Sequence, residues 1–109
     1  MNRIELLAPA GSPEALDAAI GEGADAVYLG LRDFNARARA KNFAYRQFEC
    51  AVERLHSMKR KVYVTLNTVI EEHETSRLYN FLKYLSAVAP DGLIVQDMGV
   101  AAMANAFFP

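Results

Sequence analysis

Four times along this chain a short β-type run is followed by a stretch of helical periodicity, a pattern that specifies parallel βαβ units and excludes a bundle or a sandwich. The β-type runs are Ile4–Leu7, Asp25–Gly30, Lys61–Leu66 and Gly92–Val95. Before the first helix Ser12 is placed to cap, Pro13 stands at the first helical position, where its missing N–H costs nothing, and Glu14 suits the N-terminal dipole. Gly23 is the expected stop. Phe48, Val52 and Leu55 form the apolar stripe of the second helix, and Leu78, Phe81, Leu82 and Leu85 that of the third. Lys59, Arg60 and Lys61 follow the second helix, where cations meet the negative end of its dipole, so a structural role is expected of them before a binding role. The last pattern, Met98 to Phe107, is short and Ala-rich.

Length turns this alternation into an architecture. A (β/α)₈ barrel takes about 250 residues, so four units in 109 residues amount to half of one. An open four-stranded sheet is the alternative, but it would leave its first and last strands as bare edges. The expectation is therefore an α/β fold of parallel (β/α) repeats, the N-terminal half of a TIM-type (β/α)₈ barrel. No linker or low-complexity tract divides residues 1–109, which read as a single domain of four βα units. The close at Phe107, Phe108 and Pro109, without a polar tail, reads as a chain cut before a fifth strand.

Composition narrows the function classes. With 52% apolar and 23% charged residues the chain is neither disordered nor fibrous. Twelve basic residues against thirteen acidic ones leave no overall charge to draw nucleic acid or a membrane surface, so only local patches can do so. The single cysteine, Cys50, can form neither an internal disulfide nor a cysteine zinc site, and it points to a reducing, cytoplasmic compartment. No apolar run approaches the roughly 20 residues of a membrane span.

Side chains alternate along a strand, so parity sorts each run into two faces. Val62, Val64 and Leu66 oppose Tyr63, Thr65 and Asn67; Val27 and Leu29 oppose Ala26, Tyr28 and Gly30; Leu93 and Val95 oppose Ile94 and Gln96; Ile4 and Leu6 oppose Glu5 and Leu7. The apolar parity suits a helix-covered surface and the mixed one a barrel interior, where polar groups are costly unless paired or used. Ligands of such folds bind at the carboxyl ends of the strands. Here those ends carry Pro9 to Ser12, Gly30 to Arg37, Asn67 to Thr68 and Gln96 to Asp97. Asn67 and Gln96 can both donate and accept, which suits orienting a base or an amide, or tying loops together. Asp97 reads first as a helix cap, and Glu5, low in its strand, as a structural anchor. Gly11 and Ser12 could hold an anion, although a capped turn needs none.

From Arg32 to Arg46 the chain holds Arg32, Arg37, Arg39, Lys41 and Arg46 against the single acid Asp33, with Phe34, Phe43 and Tyr45 interleaved. That mixture suits phosphate contact and base stacking, but it equally suits a solvated loop pinned by its aromatic residues, which the residues alone favour. Hydrolase and nucleotide-binding signatures are missing: there is no G-x-S-x-G, H-E-x-x-H, Walker loop or G-x-G-x-x-G. His73 stands among Glu71, Glu72 and Glu74 without a second histidine at helical spacing, His56 reads as a half-buried helix residue, and Cys50 has no activating histidine near it.

Read in order, Glu5 to Gly11, Gly23 to Gly30, Phe34-Asn35-Ala36-Arg37, Val64 to Thr68 and Leu93 to Gly99 resemble the N-terminal region of the collagenase-like peptidase family of unassigned catalytic type. The resemblance implies a (β/α)₈-type catalytic domain. It also implies one of the family's activities: a collagenase-like protease, or hydroxylation of a tRNA uridine, a 23S rRNA cytidine or ubiquinone precursors. The Thr65 to Thr68 and Val95 to Gly99 blocks look nearest the ribosomal RNA branch. In that family an iron–sulfur cluster is held by cysteines from a later part of the sequence, none of which Cys50 matches, so a cluster is expected in a full-length parent and not in this chain. Prephenate is linked to the RNA branches as a cosubstrate. Carried onto these residues, the resemblance makes Asn35, Arg37, Asn67, Gln96 and Asp97 the expected substrate contacts, and under an RNA-modifying activity the basic connection offers Arg32, Arg37, Arg39 and Lys41 as the expected RNA contacts. Ala44 stands where relatives often have a Ser or Thr cap, and Met98 where many have Pro.

The expected function is thus the barrel portion of an RNA-modifying protein, inactive by itself, acting on RNA or a small molecule. The alternatives are a peptidase whose nucleophile lies elsewhere, or a non-catalytic half-barrel completed by a partner. The missing half of the barrel is an expected partner, and the isolated chain is expected to self-associate.

Overall fold

The computed structural model describes residues 4–31, 43–66, 75–95 and 97–107. Strands and helices alternate throughout: β1 (Leu7–Pro9), α1 (Pro13–Gly21), β2 (Ala26–Leu29), α2 (Tyr45–Ser57), β3 (Lys61–Leu66), α3 (Thr75–Val88), β4 (Gly92–Val95) and α4 (Met98–Phe107). The strands form one parallel sheet in the order β1-β2-β3-β4, so neighbours in sequence are neighbours in space and β1 and β4 are its edges.

One face of the sheet lies under the helices. Val27, Leu29, Val62, Val64 and Leu66 are buried there against Leu16 and Ala19 of α1, Phe48, Val52 and Leu55 of α2, Leu78, Phe81, Leu82 and Leu85 of α3, and Val100 of α4. Each large side chain so buried contributes about 1.5–3 kcal/mol relative to exposure. Tyr28, Tyr63, Thr65 and Ile94, of the opposite parity, lie on the other, concave face, and none of them belongs to the buried core.

At the first strand the expectation needs correcting. Pairing runs over Leu7–Pro9 rather than Ile4–Leu7, and Ile4 and Leu6, expected beneath the helices, are 90% and 46% exposed. Ala8 continues their parity and is the β1 residue packed against the core. The apolar run of Leu6 and Leu7 drew the boundary too early, because pairing begins only where β2 supplies a partner, at Leu7 opposite Ala26.

Register is pinned by two aspartates in equivalent places. Asp25, just ahead of β2, accepts a hydrogen bond at Oδ2 from the Leu6 N–H (2.8 Å) and donates its own N–H to the Leu6 carbonyl (2.9 Å). Asp91, just ahead of β4, accepts from the Val62 N–H (2.8 Å) and donates to the Val62 carbonyl (2.8 Å). The Asp91 carboxylate also accepts from Nε2 of His56, at 2.8 Å. An ionised carboxylate has no proton to give, so Nε2 must carry it. Burial raises the Asp91 pKa, but the Val62 N–H, the His56 hydrogen bond and the charges of His56 and Lys61 outweigh it, and the net shift is downward.

Three helices end with a residue in left-handed backbone. Gly23 (φ 82°) follows α1, donating to the Ile20 carbonyl while Ala24 donates to that of Ala19. Lys59 (φ 58°) repeats the arrangement after α2, with Lys59 bonded to His56 and Arg60 to Leu55. Ala89 (φ 63°) closes α3 by one bond to Leu85, ahead of Pro90. The basic run after α2 is structural at two of its members: Lys59 forms the turn, and Arg60 reaches the Ile20 carbonyl with Nη1 at 3.2 Å.

Two outcomes follow. Replacing Lys59→Gly removes the Cβ clash of left-handed backbone and should raise stability by about 0.5–1 kcal/mol in urea unfolding. Because the folded Asp91 carboxyl titrates below its ordinary 3.8, the stability it contributes is complete above that pH and lost as pH falls through the folded value. Asp91→Asn should therefore lower stability at neutral pH by about 1–2 kcal/mol and flatten the acid limb of the stability–pH curve; an acid limb as steep as that of the unsubstituted protein would contradict the role.

Candidate functional site

The carboxyl ends of the four strands converge on one end of the sheet, where β1 runs into Ala10 to Ser12, β2 into Gly30 and Leu31, β3 into residues 67–74, and β4 into Gln96 and Asp97. The first turn is tied down on both sides. Ala10 is buried and donates its N–H to the Tyr28 carbonyl (2.9 Å), and Ser12 Oγ accepts from the Ala15 N–H (3.2 Å), the cap expected of it. Ser12 thus serves the helix start.

After β2 the chain sets out on its long connection from a fixed pair of stems. Leu31 and Phe43 form an isolated parallel bridge, both are buried, and the Phe43 N–H donates to the Gly30 carbonyl (3.0 Å). Leu31 and Phe43 are therefore adjacent in space although 12 positions apart in sequence. Of the three interleaved aromatic residues, Phe43 belongs to the core. Tyr45 opens α2 and packs edge-on against Tyr84 (centroids 5.0 Å) and Phe81 (6.3 Å). Phe43 is thus buried away from any ligand, while Tyr45 keeps 40% of its surface exposed beside the α3 rings. Tyr84 in turn donates its hydroxyl to Glu49 (2.7 Å), and burial together with that carboxylate pushes its pKa up.

Among the expected contacts only Asp97 falls within the described residues; Arg32, Asn35, Arg37, Arg39, Lys41, Asn67 and Gln96 lie outside them, as do Phe34, Thr68 and His73. Asp97 Oδ1 accepts from the Gly99 N–H (2.7 Å), and its carbonyl accepts from Ala101, so it caps α4. Thr65, not singled out as a contact, points its hydroxyl across to the Leu29 carbonyl (3.2 Å), near the end of β2. Glu5 is exposed ahead of β1, in a shallow hollow with Asp25, Lys59 and Lys61 at the opposite end of the strands. There too lies the His56–Asp91 pair, far from the carboxyl ends and already employed on a backbone N–H.

Cys50 is exposed on α2, in the groove between α1 and α2. One thiol is a donor set that does not fit a cysteine-held cluster, and among the described residues no three His, Cys, Asp or Glu side chains gather to hold a metal ion. No helix among the described residues is long and apolar enough to cross a membrane.

Four parallel strands in sequence order, alternating with helices, define the class: an α/β fold consistent with part of a (β/α) barrel. The family description "Peptidase family U32" matches residues 11–109, and the chain belongs to that family. It is 38% identical over 105 residues to the "Uncharacterized protease MJ0090" of Methanocaldococcus jannaschii, covering 96% of this chain and 26% of that protein. It is 36% identical over 110 residues to "tRNA hydroxylation protein P" of Helicobacter pylori strain J99, covering 100% and 26%. To the "23S rRNA 5-hydroxycytidine C2501 synthase" of Escherichia coli K12 it is 38% identical over 99 residues, covering 91% and 15%. The chain therefore spans about a quarter or less of the length of these relatives. The solved structure of the U32 peptidase Mk0906 superposes with a TM-score of 0.74 at 14% identity, covering all of this chain and 47% of that one, which establishes the shared fold.

At the start of α2 Ala44 provides no side-chain acceptor, although Gln47 Oε1 already accepts from the Ala44 N–H (3.0 Å). Ala44→Ser would supply the missing half of the capping box and should raise stability by about 1 kcal/mol; an unchanged urea midpoint would show that the helix start is satisfied as it stands.

Proposed function

We propose that this chain forms four βα units of a larger barrel in a cytoplasmic RNA-modifying protein that hydroxylates a nucleoside of ribosomal or transfer RNA. The observation that carries the reading is the connection after β2. Four basic residues, Arg32, Arg37, Arg39 and Lys41, and one acid fall between two buried stems at the carboxyl end of the sheet. Basic side chains hung over the loop side of a barrel meet phosphates while the strand ends below meet a base. Relatives named for tRNA and 23S rRNA hydroxylation support the same reading. In it Arg32, Arg37, Arg39 and Lys41 bind the RNA backbone. Asn35, Asn67 and Gln96, with Arg37 and Asp97, contact the substrate at the strand ends, where two amides suit the edge of a base. A cluster serving the chemistry would need cysteines from outside this chain.

A peptidase is the second reading, favoured by the relative named a protease. Against it, the His56–Asp91 pair stands at the wrong end of the strands, and Ser57 beside it spends its hydroxyl on the Arg54 carbonyl at 2.6 Å. Mass spectrometry of ribosomal and transfer RNA separates the two: deleting the gene should remove one hydroxylated nucleoside, and unchanged RNA would overturn the first reading. Substituting Arg37, Arg39 and Lys41 together by alanine should weaken single-stranded RNA binding and reduce the slope of log affinity against log salt by roughly 2.

A further inference from the structure

The concave face of the sheet carries a second feature, below the strand ends. Pro9 pairs with Tyr28, Tyr28 with Tyr63, and Tyr63 with Gly92, so these four residues form one row across all four strands. Two small residues flank two tyrosines. The Tyr63 ring leans over β4: a Cβ on Gly92 would stand 2.9 Å from its Cδ1 and 3.0 Å from its Cε1, so only glycine lets the ring lie there. Both tyrosines are half-buried, and neither phenol has a hydrogen-bond partner among the described residues. Leu7 and Ile94, of the same parity, are 48% and 42% exposed.

This floor is aromatic, uncharged and equipped with two unused hydroxyls, a chemistry unsuited to a phosphate and suited to a neutral planar ring bearing polar groups on its edge. Tyr63 lies three residues below the end of β3, roughly 10 Å down from the mouth at about 3.3 Å per residue. We propose that Tyr28 and Tyr63 form a stacking floor for a pyrimidine base swung out of its strand, with Gly92 the specificity-determining neighbour that gives Tyr63 its place. The inference rests on the RNA reading above and deepens it: the basic connection holds the backbone and the tyrosine row takes the base.

The test uses the full-length protein with its tyrosine rings labelled for NMR, and free cytidine and a short single-stranded RNA as probes. Cytidine should shift the Tyr28 and Tyr63 ring resonances. Tyr63→Ala should weaken binding of both probes about tenfold, the worth of one stacked base, and Tyr63→Phe should stay within about threefold. Gly92→Ala, which displaces the ring, should weaken both with Tyr63 present. Ring resonances unmoved by cytidine, or RNA binding unchanged in a folded Tyr63→Ala, would overturn the floor. The RNA reading would survive that result if the Arg37, Arg39 and Lys41 variant still lost RNA. Ring shifts with cytidine but no binding of RNA would leave the floor and end the RNA reading. Should Tyr63→Ala not fold, the ring shifts and Gly92→Ala decide; rings that ignore cytidine are then barrel packing and the proposal fails.

Discussion

Two carboxylates hold the register on which everything else here depends. Asp25 and Asp91 each close a two-point clamp on the residue opposite, Leu6 and Val62, by accepting its N–H and donating to its carbonyl. In a sheet with a period of two, a slip of one residue would turn Tyr63 and Thr65 beneath the helices and bring Val62 and Val64 out onto the concave face. A backbone N–H held by an ionised carboxylate is a stronger bond than an ordinary ladder bond, and it acts where the β1–β2 and β3–β4 pairs begin. The same residue type makes the same pair of backbone contacts 66 positions apart, ahead of β2 and ahead of β4.

Placing those clamps at the amino ends of the strands separates two duties. The amino end holds Asp25, Asp91, His56 and the left-handed turn at Lys59, all engaged with backbone or with one another. Among the described residues the carboxyl end is fastened by Ser12, Asp97 and the Leu31–Phe43 bridge, which anchor the starts of helices and the stems of a connection. A barrel divided this way can vary its loops without disturbing its register, and that is why binding groups belong on the carboxyl side.

Much of this was legible in the sequence because parity and helical spacing are local. The stripes Phe48, Val52, Leu55 and Leu78, Phe81, Leu82, Leu85 are buried as the spacing demands, and Ser12 caps α1. The first strand was misplaced because the ladder starts at Leu7 opposite Ala26, with Leu6 held by Asp25 just ahead of it, a fact about a neighbour 19 residues away. The role of Asp91 was hidden for the same reason: its partners, Val62 and His56, are 29 and 35 positions distant. The left-handed turns at Lys59 and Ala89 carried no glycine to announce them. Of the candidate site, the sequence placed the strand ends near where the ladders finish, while the basic residues between Leu31 and Phe43 lie outside the described residues. The row of Pro9, Tyr28, Tyr63 and Gly92 appears only once the register joins four strands.

That row also constrains whatever faces it. Among the described residues β1 and β4 are the edges of the sheet, and the face between them carries Leu7 and Ile94 about half exposed, so closure into a barrel would pair strand edges and bury apolar area together. Closing over two phenols that have no partner among the described residues would cost about 1–3 kcal/mol for each hydroxyl left dry. A barrel filled at this level with aliphatic side chains would incur that cost; one with a cavity here, open to water or to the edge of a planar ligand, would not. The Tyr63 ring occupies the space that a Cβ on residue 92 would take, so glycine there is what lets an aromatic side chain stand at this level, and its hydroxyl, without a partner among the described residues, is satisfied only where water or a ligand edge can reach it.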